Sequence, residues 1–306
     1  MNLREWALPV YTILIQLATG ALVALWVIRS RFAKLGGKEL DRLTRVPILI
    51  LFSTIGIAIV GAHFHLSKPF LSFLAMTNFA HSWLSREIIA TVLFLFSMGA
   101  LAALVWFADG RYALKAALGW ITGFLGLATV LCMAQVYLLP TQIAWNSAVT
   151  ILSYYGEAAL LGATSLSAIL LMDLNFMYEQ GSETIKDHER MVAAVIKRLI
   201  FASVIAMIAN LALNAEQILF LSALQNESAQ MSMRLLSDLY QPLYLVRLGM
   251  TVIGVSWLLV SYFRISKIKG QIQQLIIHAY LASTLVLIGE VLGRFLFYAI
   301  HVRSGI

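Results

Sequence analysis

Two imidazoles and a carboxylate raise the first chemical question. His63 and His65 stand two apart in GAHFHLSKP, residues 61–69, directly after the apolar run VPILILFSTIGIAIV, and Glu87 follows in the stretch SREI. Each residue of a regular helix turns by about 100°, so the two histidines would point roughly 200° apart and at most one faces a bundle interior. An imidazole with an ordinary pKa of about 6.5 accepts a proton at physiological pH, and a carboxylate can receive or relay it. His65 and Glu87 thus suit the removal of a proton from a hydroxyl group. The plain alternatives are an interfacial or capping histidine, and a Glu87 that only complements the positive end of a helix capped by Ser85.

Further ionisable or amide groups punctuate apolar sequence: Arg86 beside Glu87, Glu157 next to Tyr154 and Tyr155, Glu216 after Asn210 and Asn214, then Arg247, Glu290, Arg294 and His301. Glu290 and Arg294 are four apart, a spacing at which they would neutralise each other on one helix face. Glu157 reads equally as a protonated, hydrogen-bonded carboxyl inside a bundle.

The elements that position these groups are membrane helices. Of 306 residues, 60% are hydrophobic and only 12% charged, and mean hydropathy is +0.84, beyond what a water-soluble domain folds without exposing. Spanning helices need about 20 mostly apolar residues. Eight such windows occur, at roughly 7–29, 46–66, 86–108, 112–138, 146–172, 192–213, 244–263 and 273–300. TVLFLFSMGALAALVWF is apolar on every side, whereas barrel strands alternate. The expected fold is an all-α bundle of eight transmembrane helices forming one integral membrane domain over 1–306, its first span retained rather than cleaved as a signal. Trp6, Trp83, Trp106 and Trp145 fall where an interfacial belt would lie.

Basic residues are retained on the cytoplasmic side. With alternate sides assigned, 15 of the 22 Lys and Arg residues collect on one side. Both termini are then expected outside, on the extracytoplasmic face. His65, Arg86, Glu87, Glu216, Arg247, Glu290, Arg294 and His301 all fall toward that outer face, with Glu157 deeper. The net charge of +7 follows from this bias and from contact with anionic lipid, without nucleic acid.

Cys132 is the only cysteine, which excludes an internal disulfide, a CxxC metal site and a thiolate set for an iron–sulfur cluster. Gly-rich phosphate loops and the usual nucleophile motifs are absent too, so a soluble-enzyme reading fails.

GAHFHLSKPFLSFLAMTNFAHSWLSREI and the closing IGEVLGRFLFYAIHV resemble the DmsC family, the membrane anchor subunits of bacterial dimethyl sulfoxide reductase. The family pattern is a helix ending in HL-(G/S)-x-P, a short loop with Asn and Ser, a helix opening S-x-E-I, and a last helix with GE, two hydrophobic residues, GR-x3-Y-x2-H. This chain supplies His65, Leu66, Ser67 and Pro69, then Asn78, Ser85, Glu87 and Ile88, then Gly289, Glu290, Gly293, Arg294, Tyr298 and His301. Weaker echoes are VYLLPTQIAW at 136–145, Ala215 with Glu216, and Arg247.

The resemblance implies a menaquinol-oxidising anchor in the bacterial inner membrane. It would dock an iron–sulfur subunit and, through it, a molybdenum-cofactor catalytic subunit, with no haem or cluster of its own. His65 and Glu87 match the positions associated with the quinol site. Lys68, Asn78, Ser85 and Arg86 are expected to complete that site, and Glu216, Arg247, Glu290, Arg294 and His301 to serve as structural or proton-path groups. Three departures stand out: the extra His63, a longer external segment at 214–243, and Glu157. Two rival classes are a haem b anchor, for which His65 with His301 is the nearest same-side pair, and a secondary transporter using Glu157, Glu290 and Arg294. No internal repeat supports the latter.

Overall fold

The computed structural model describes residues 7–33, 36–63, 69–179, 185–265 and 274–303. Among them the regular elements are helices: α1 Ala7–Arg31, α2 Gly37–His63, α3 Trp83–Phe107, α4 Tyr112–Val136, α5 Ala148–Glu179, α6 Ile185–Ala223, α7 Glu227–Arg234, α8 Gln241–Ile265 and α9 Leu275–Ala299. A 3-10 stretch at Pro69–Met76 precedes α3, and a π turn at Leu235–Leu239 joins α7 to α8. Eight helices, all but α7, are long and apolar enough to cross a membrane, in agreement with the expected count.

Helices α1 and α5 form the axis. Each has two thirds of its most apolar stretch buried, 67% against 28–44% in the other spans. Close approach explains this. A Cβ on Gly20 would fall on the Ala158 carbonyl, and one on Gly162 on the backbone of Gly20 and Ala21. Small residues let backbones touch where lipid offers no hydrophobic drive between helices. Around this axis α2, α3 and α4 complete one group of four, and α6, α8 and α9 pack with α5 as the other.

At one end of the bundle Asp41 accepts from Lys115 at 2.5 Å and from Arg29 at 3.3 Å. This basic end, expected to be cytoplasmic, recruits residues 37–46 into α2, so that helix starts well before the expected position 46. Leu40, Leu43 and Thr44 are buried there, and Pro47 sits inside the helix.

The expected long external segment at 214–243 is also mostly helix. Helix α6 runs 39 residues, about 58 Å at 1.5 Å per residue, twice the hydrocarbon thickness. Asn210, Asn214 and Gln217 sit three and four apart on one face of α6, turned into the protein. Their polarity marks an inward stripe, not the point at which the helix leaves the membrane. Asn226 then caps α7, its Oδ1 accepting from the Ser228 amide at 2.8 Å. Leu221 and Ala229 pack with Ala144 and Trp145 of the α4–α5 loop in a small core that covers this end of α5.

Candidate functional site

The first turn of α3 is built by serines. Ser82, not the expected Ser85, is the N-cap, accepting from the Ser85 amide at 3.3 Å. Ser85 is buried, and its hydroxyl donates to the Ala75 carbonyl at 2.5 Å, tying α3 to the 3-10 stretch. Glu87 therefore lies beyond the first turn, and the reading that it complements the helix end is withdrawn. Its side chain is 8% exposed and faces the hydroxyl of Tyr11 on α1. Thr91 donates to the Glu87 main-chain carbonyl at 2.8 Å, and its oxygen lies 2.8 Å from the Tyr11 hydroxyl. The Tyr11 hydroxyl thus stands between Thr91 and the Glu87 carboxyl. A hydroxyl can donate to a carboxylate or accept from a protonated carboxyl.

Arg86 is committed differently from the expectation. Its guanidinium donates to the carbonyls of Phe79 at 3.0 Å and Ala80 at 2.7 Å and stacks on Trp83, centroid 4.4 Å away. In the chain alone it staples the 77–82 turn. Asn78 is exposed in that turn, and its carbonyl accepts from the amides of His81 and Ser82. His63 is exposed, with Nδ1 2.8 Å from the Ile59 carbonyl, as suits a helix-end histidine. His65, Lys68, Ser67 and Trp6 lie outside the described residues.

A second constellation joins α1, α5, α8 and α9. Glu290 and Arg294 do not neutralise each other. Arg294 pairs with Glu157 of α5, and Glu290 with Arg247 of α8 at 3.6 Å. Gln16 of α1 links the first pair, donating to Glu157 at 3.1 Å and to the Tyr154 carbonyl at 2.9 Å while accepting from Arg294 at 2.9 Å. The Arg294 guanidinium lies 3.9 Å over the Tyr154 ring. Arg247 donates to Asn214 at 2.9 Å. Glycines make the crossing possible, because a Cβ on Gly293 would strike the Arg247 guanidinium and one on Gly156 the Asn210 amide. Glu157, Arg247, Arg294, Asn210, Asn214 and Gln217 line a cavity of about 90 Å³. Arg294 Nε, buried and without a hydrogen-bond partner among the described residues, keeps a donor for a water or ligand there.

Tyrosines stand between the two constellations. The hydroxyls of Tyr137 and Tyr298 are 2.5 Å apart, and the Tyr137 and Tyr154 rings are 6.1 Å apart. Glu87 is near enough to act electrostatically on Tyr137, Tyr154 and Tyr298. The loop before α5 closes over them. Trp145 stacks on Phe297 at 5.2 Å and on His301 at 4.7 Å, and its indole donates to the Phe297 carbonyl at 2.7 Å. Trp145 is thus a core residue, 8% exposed, and not part of an interfacial belt. His301 Nδ1 meets the Tyr298 carbonyl. Glu216 points outward, exposed. Its neighbour Gln217 is the one engaged, donating to the Ala144 carbonyl at 2.7 Å and accepting from Ser147 at 3.3 Å.

Eight helices long and apolar enough to span, with buried acids and arginines paired between them, define a polytopic membrane protein. The chain belongs to the family described as DMSO reductase anchor subunit (DmsC), whose model matches residues 1–300. Among similar proteins, the anaerobic dimethyl sulfoxide reductase protein YnfH of Escherichia coli strain K12 is 27% identical over 308 residues, covering 99% of this chain and 96% of the relative. A component of the anaerobic dimethyl sulfoxide reductase of Haemophilus influenzae is 26% identical over 313 residues, covering 100% and 98%. The protein is a multi-pass membrane anchor subunit of a dimethyl sulfoxide reductase-type complex.

Proposed function

We propose that this anchor oxidises menaquinol near the start of α3 and passes both electrons to an iron–sulfur subunit docked on the same face, from which they reach a molybdenum-cofactor subunit. The setting is the bacterial inner membrane, with the site on its outer side. The observation that carries the reading is Glu87, a carboxyl buried beside the Tyr11 hydroxyl and one turn before Thr91 in the helix that follows the His65 segment, in a chain of the anchor family.

The chemistry must balance. A quinol gives up two protons and two electrons on becoming a quinone. His65 accepts the proton of one hydroxyl, and Glu87 receives or relays protons toward water. Lys68 supports the anion that forms at the opposite oxygen. Arg86 and Ser85 hold the 69–82 segment in place, and Asn78 belongs to its turn. Tyr11 offers Glu87 a hydroxyl partner, and the tyrosines beyond lead to the cavity bordered by Glu157, Arg247 and Arg294. There Asn214 and Gln217 favour water over lipid. In this reading Glu290 and His301 hold the route in shape.

The test is steady-state turnover of the assembled complex in membranes. His65→Ala and Glu87→Gln are expected to slow quinol-driven reduction of the terminal acceptor by about 10²-fold or more, the ordinary contribution of a positioned acid or base. Reduction of the same acceptor by an artificial dye that feeds the catalytic subunit directly stays at the wild-type rate. Wild-type quinol turnover in both variants would remove the assignment.

A further inference from the structure

Helices α1 and α6 both lean on α5, and at the basic end one face of α6, bordered by Arg31 at the end of α1, forms an open, shallow groove of about 840 Å³. Its mouth carries three cations: Arg31, which ends α1, and the consecutive residues Lys197 and Arg198 of α6. All three are exposed. None has a carboxylate partner among the described residues, whereas Arg29 and Lys115 nearby share Asp41. Three cations without a carboxylate partner among the described residues give this edge a positive potential that favours an anion.

Arg198 is already positioned for one. It donates to the Ala194 carbonyl at 2.7 Å, and its guanidinium lies 4.9 Å over the Phe32 ring. Guanidinium carries five donors, so this anchoring leaves N–H groups directed elsewhere. Below the cations the wall turns apolar. Phe201 and Ile205, 43% and 68% exposed, continue the face of Arg198 at helical spacing, reaching roughly 11 Å further along the axis at 1.5 Å per residue. Cations at the membrane margin above an open apolar wall reproduce the vertical order of a phospholipid, phosphate above and acyl chain below. A free aqueous anion would use the cations but has no use for the wall.

We propose that this groove binds an anionic phospholipid, its phosphate held by Arg31, Lys197 and Arg198 and one acyl chain lying along Phe201, Ala202 and Ile205. Basic pockets between spanning helices on the cytoplasmic side are suited to such headgroups. The site lies at the opposite end of the bundle from the quinol site and does not depend on that reading.

The experiment is native mass spectrometry of the purified full-length protein, titrated with dioleoyl phosphatidylglycerol or with phosphatidylcholine bearing the same chains. Phosphatidylglycerol is expected to bind at concentrations at which phosphatidylcholine does not. The triple variant Arg31→Gln, Lys197→Gln, Arg198→Gln should weaken that binding about tenfold or more. A control triple, Lys38→Gln, Arg111→Gln, Arg264→Gln, removes the same charge from the same end outside the groove and should change it less than about twofold. Lys197→Glu, a single change at an exposed position, should alone reduce binding and serves if the triple variant fails to fold. Equal affinity for the two lipids, or equal losses in the two triples, would each overturn the proposal.

Discussion

Arg294 and Glu157 are the pair on which the buried network turns, at 2% and 8% exposure. Removing one member strands the other in a low-dielectric interior, which typically costs about 3–5 kcal/mol, whereas removing both charges can be nearly neutral. Arg294→Ala is therefore expected to destabilise the solubilised protein by several kcal/mol, read as a large fall in thermal midpoint. Glu157→Gln with Arg294→Gln should recover most of that loss, and equal losses in single and double variants would contradict the pairing. The charged members of this site were legible as expensive groups within apolar runs. Their partners were less so. Gln16, Tyr154 and Gln217 are uncharged, and Gln16 meets Tyr154 across 138 residues of chain. Gln16 is nonetheless the one amide within the 7–29 span, and that isolation was the available signal. Glu290 and Arg294 illustrate the converse: a four-residue spacing suggested a local pair, but the small faces of Gly289 and Gly293 bring α8 close enough for Arg247 to take Glu290 instead.

Helices met the sequence expectation at their centres and departed from it at their ends. Hydropathy locates the stretch that must be in lipid, but it says nothing of where a helix stops once polar residues find internal partners. Asp41 draws α2 toward Arg29 and Lys115, and Asn210, Asn214 and Gln217 carry α6 past position 213. Close crossings were equally silent, since a glycine in a membrane helix looks the same whether it faces backbone or lipid. Substitution separates the two cases. Gly162→Val places a side chain on the backbone of Gly20 and Ala21, which cannot give way as a flexible side chain would. A loss of at least about 1–3 kcal/mol is expected from overpacking alone. Gly56→Ala on α2 has nothing within 4 Å of the added carbon and should hold or raise stability by up to about 1 kcal/mol through helix propensity. Comparable thermal midpoints for the two variants would contradict the α1–α5 crossing.

At the scale of the molecule, the bundle has a basic end around Arg29, Lys115 and Arg198 and an opposite end where Glu87, Tyr298 and the α7 segment gather. The count of eight spans and the gathering of most Lys and Arg residues at one end were readable from composition and charge bias, because lipid forces both. The two groups of four helices meeting along α1 and α5 were not, because lateral packing leaves no trace in hydropathy. The charge bias predicts sidedness. In a Cys132→Ala background, Ser237→Cys is expected to react with a membrane-impermeant maleimide in intact spheroplasts, whereas Asp109→Cys, exposed in the α3–α4 turn, reacts only after permeabilisation. The reverse pattern would move the Glu87 end, and any partner docked there, to the cytoplasm.

The most direct test of the central claim is binding of a fluorescent quinol-analogue inhibitor to membranes containing the assembled complex, comparing wild type with His65→Ala. Saturable binding that the substitution abolishes is the predicted result. Equal binding in both would contradict a quinol site at His65 and leave the buried carboxyl of Glu87 to be explained by packing alone.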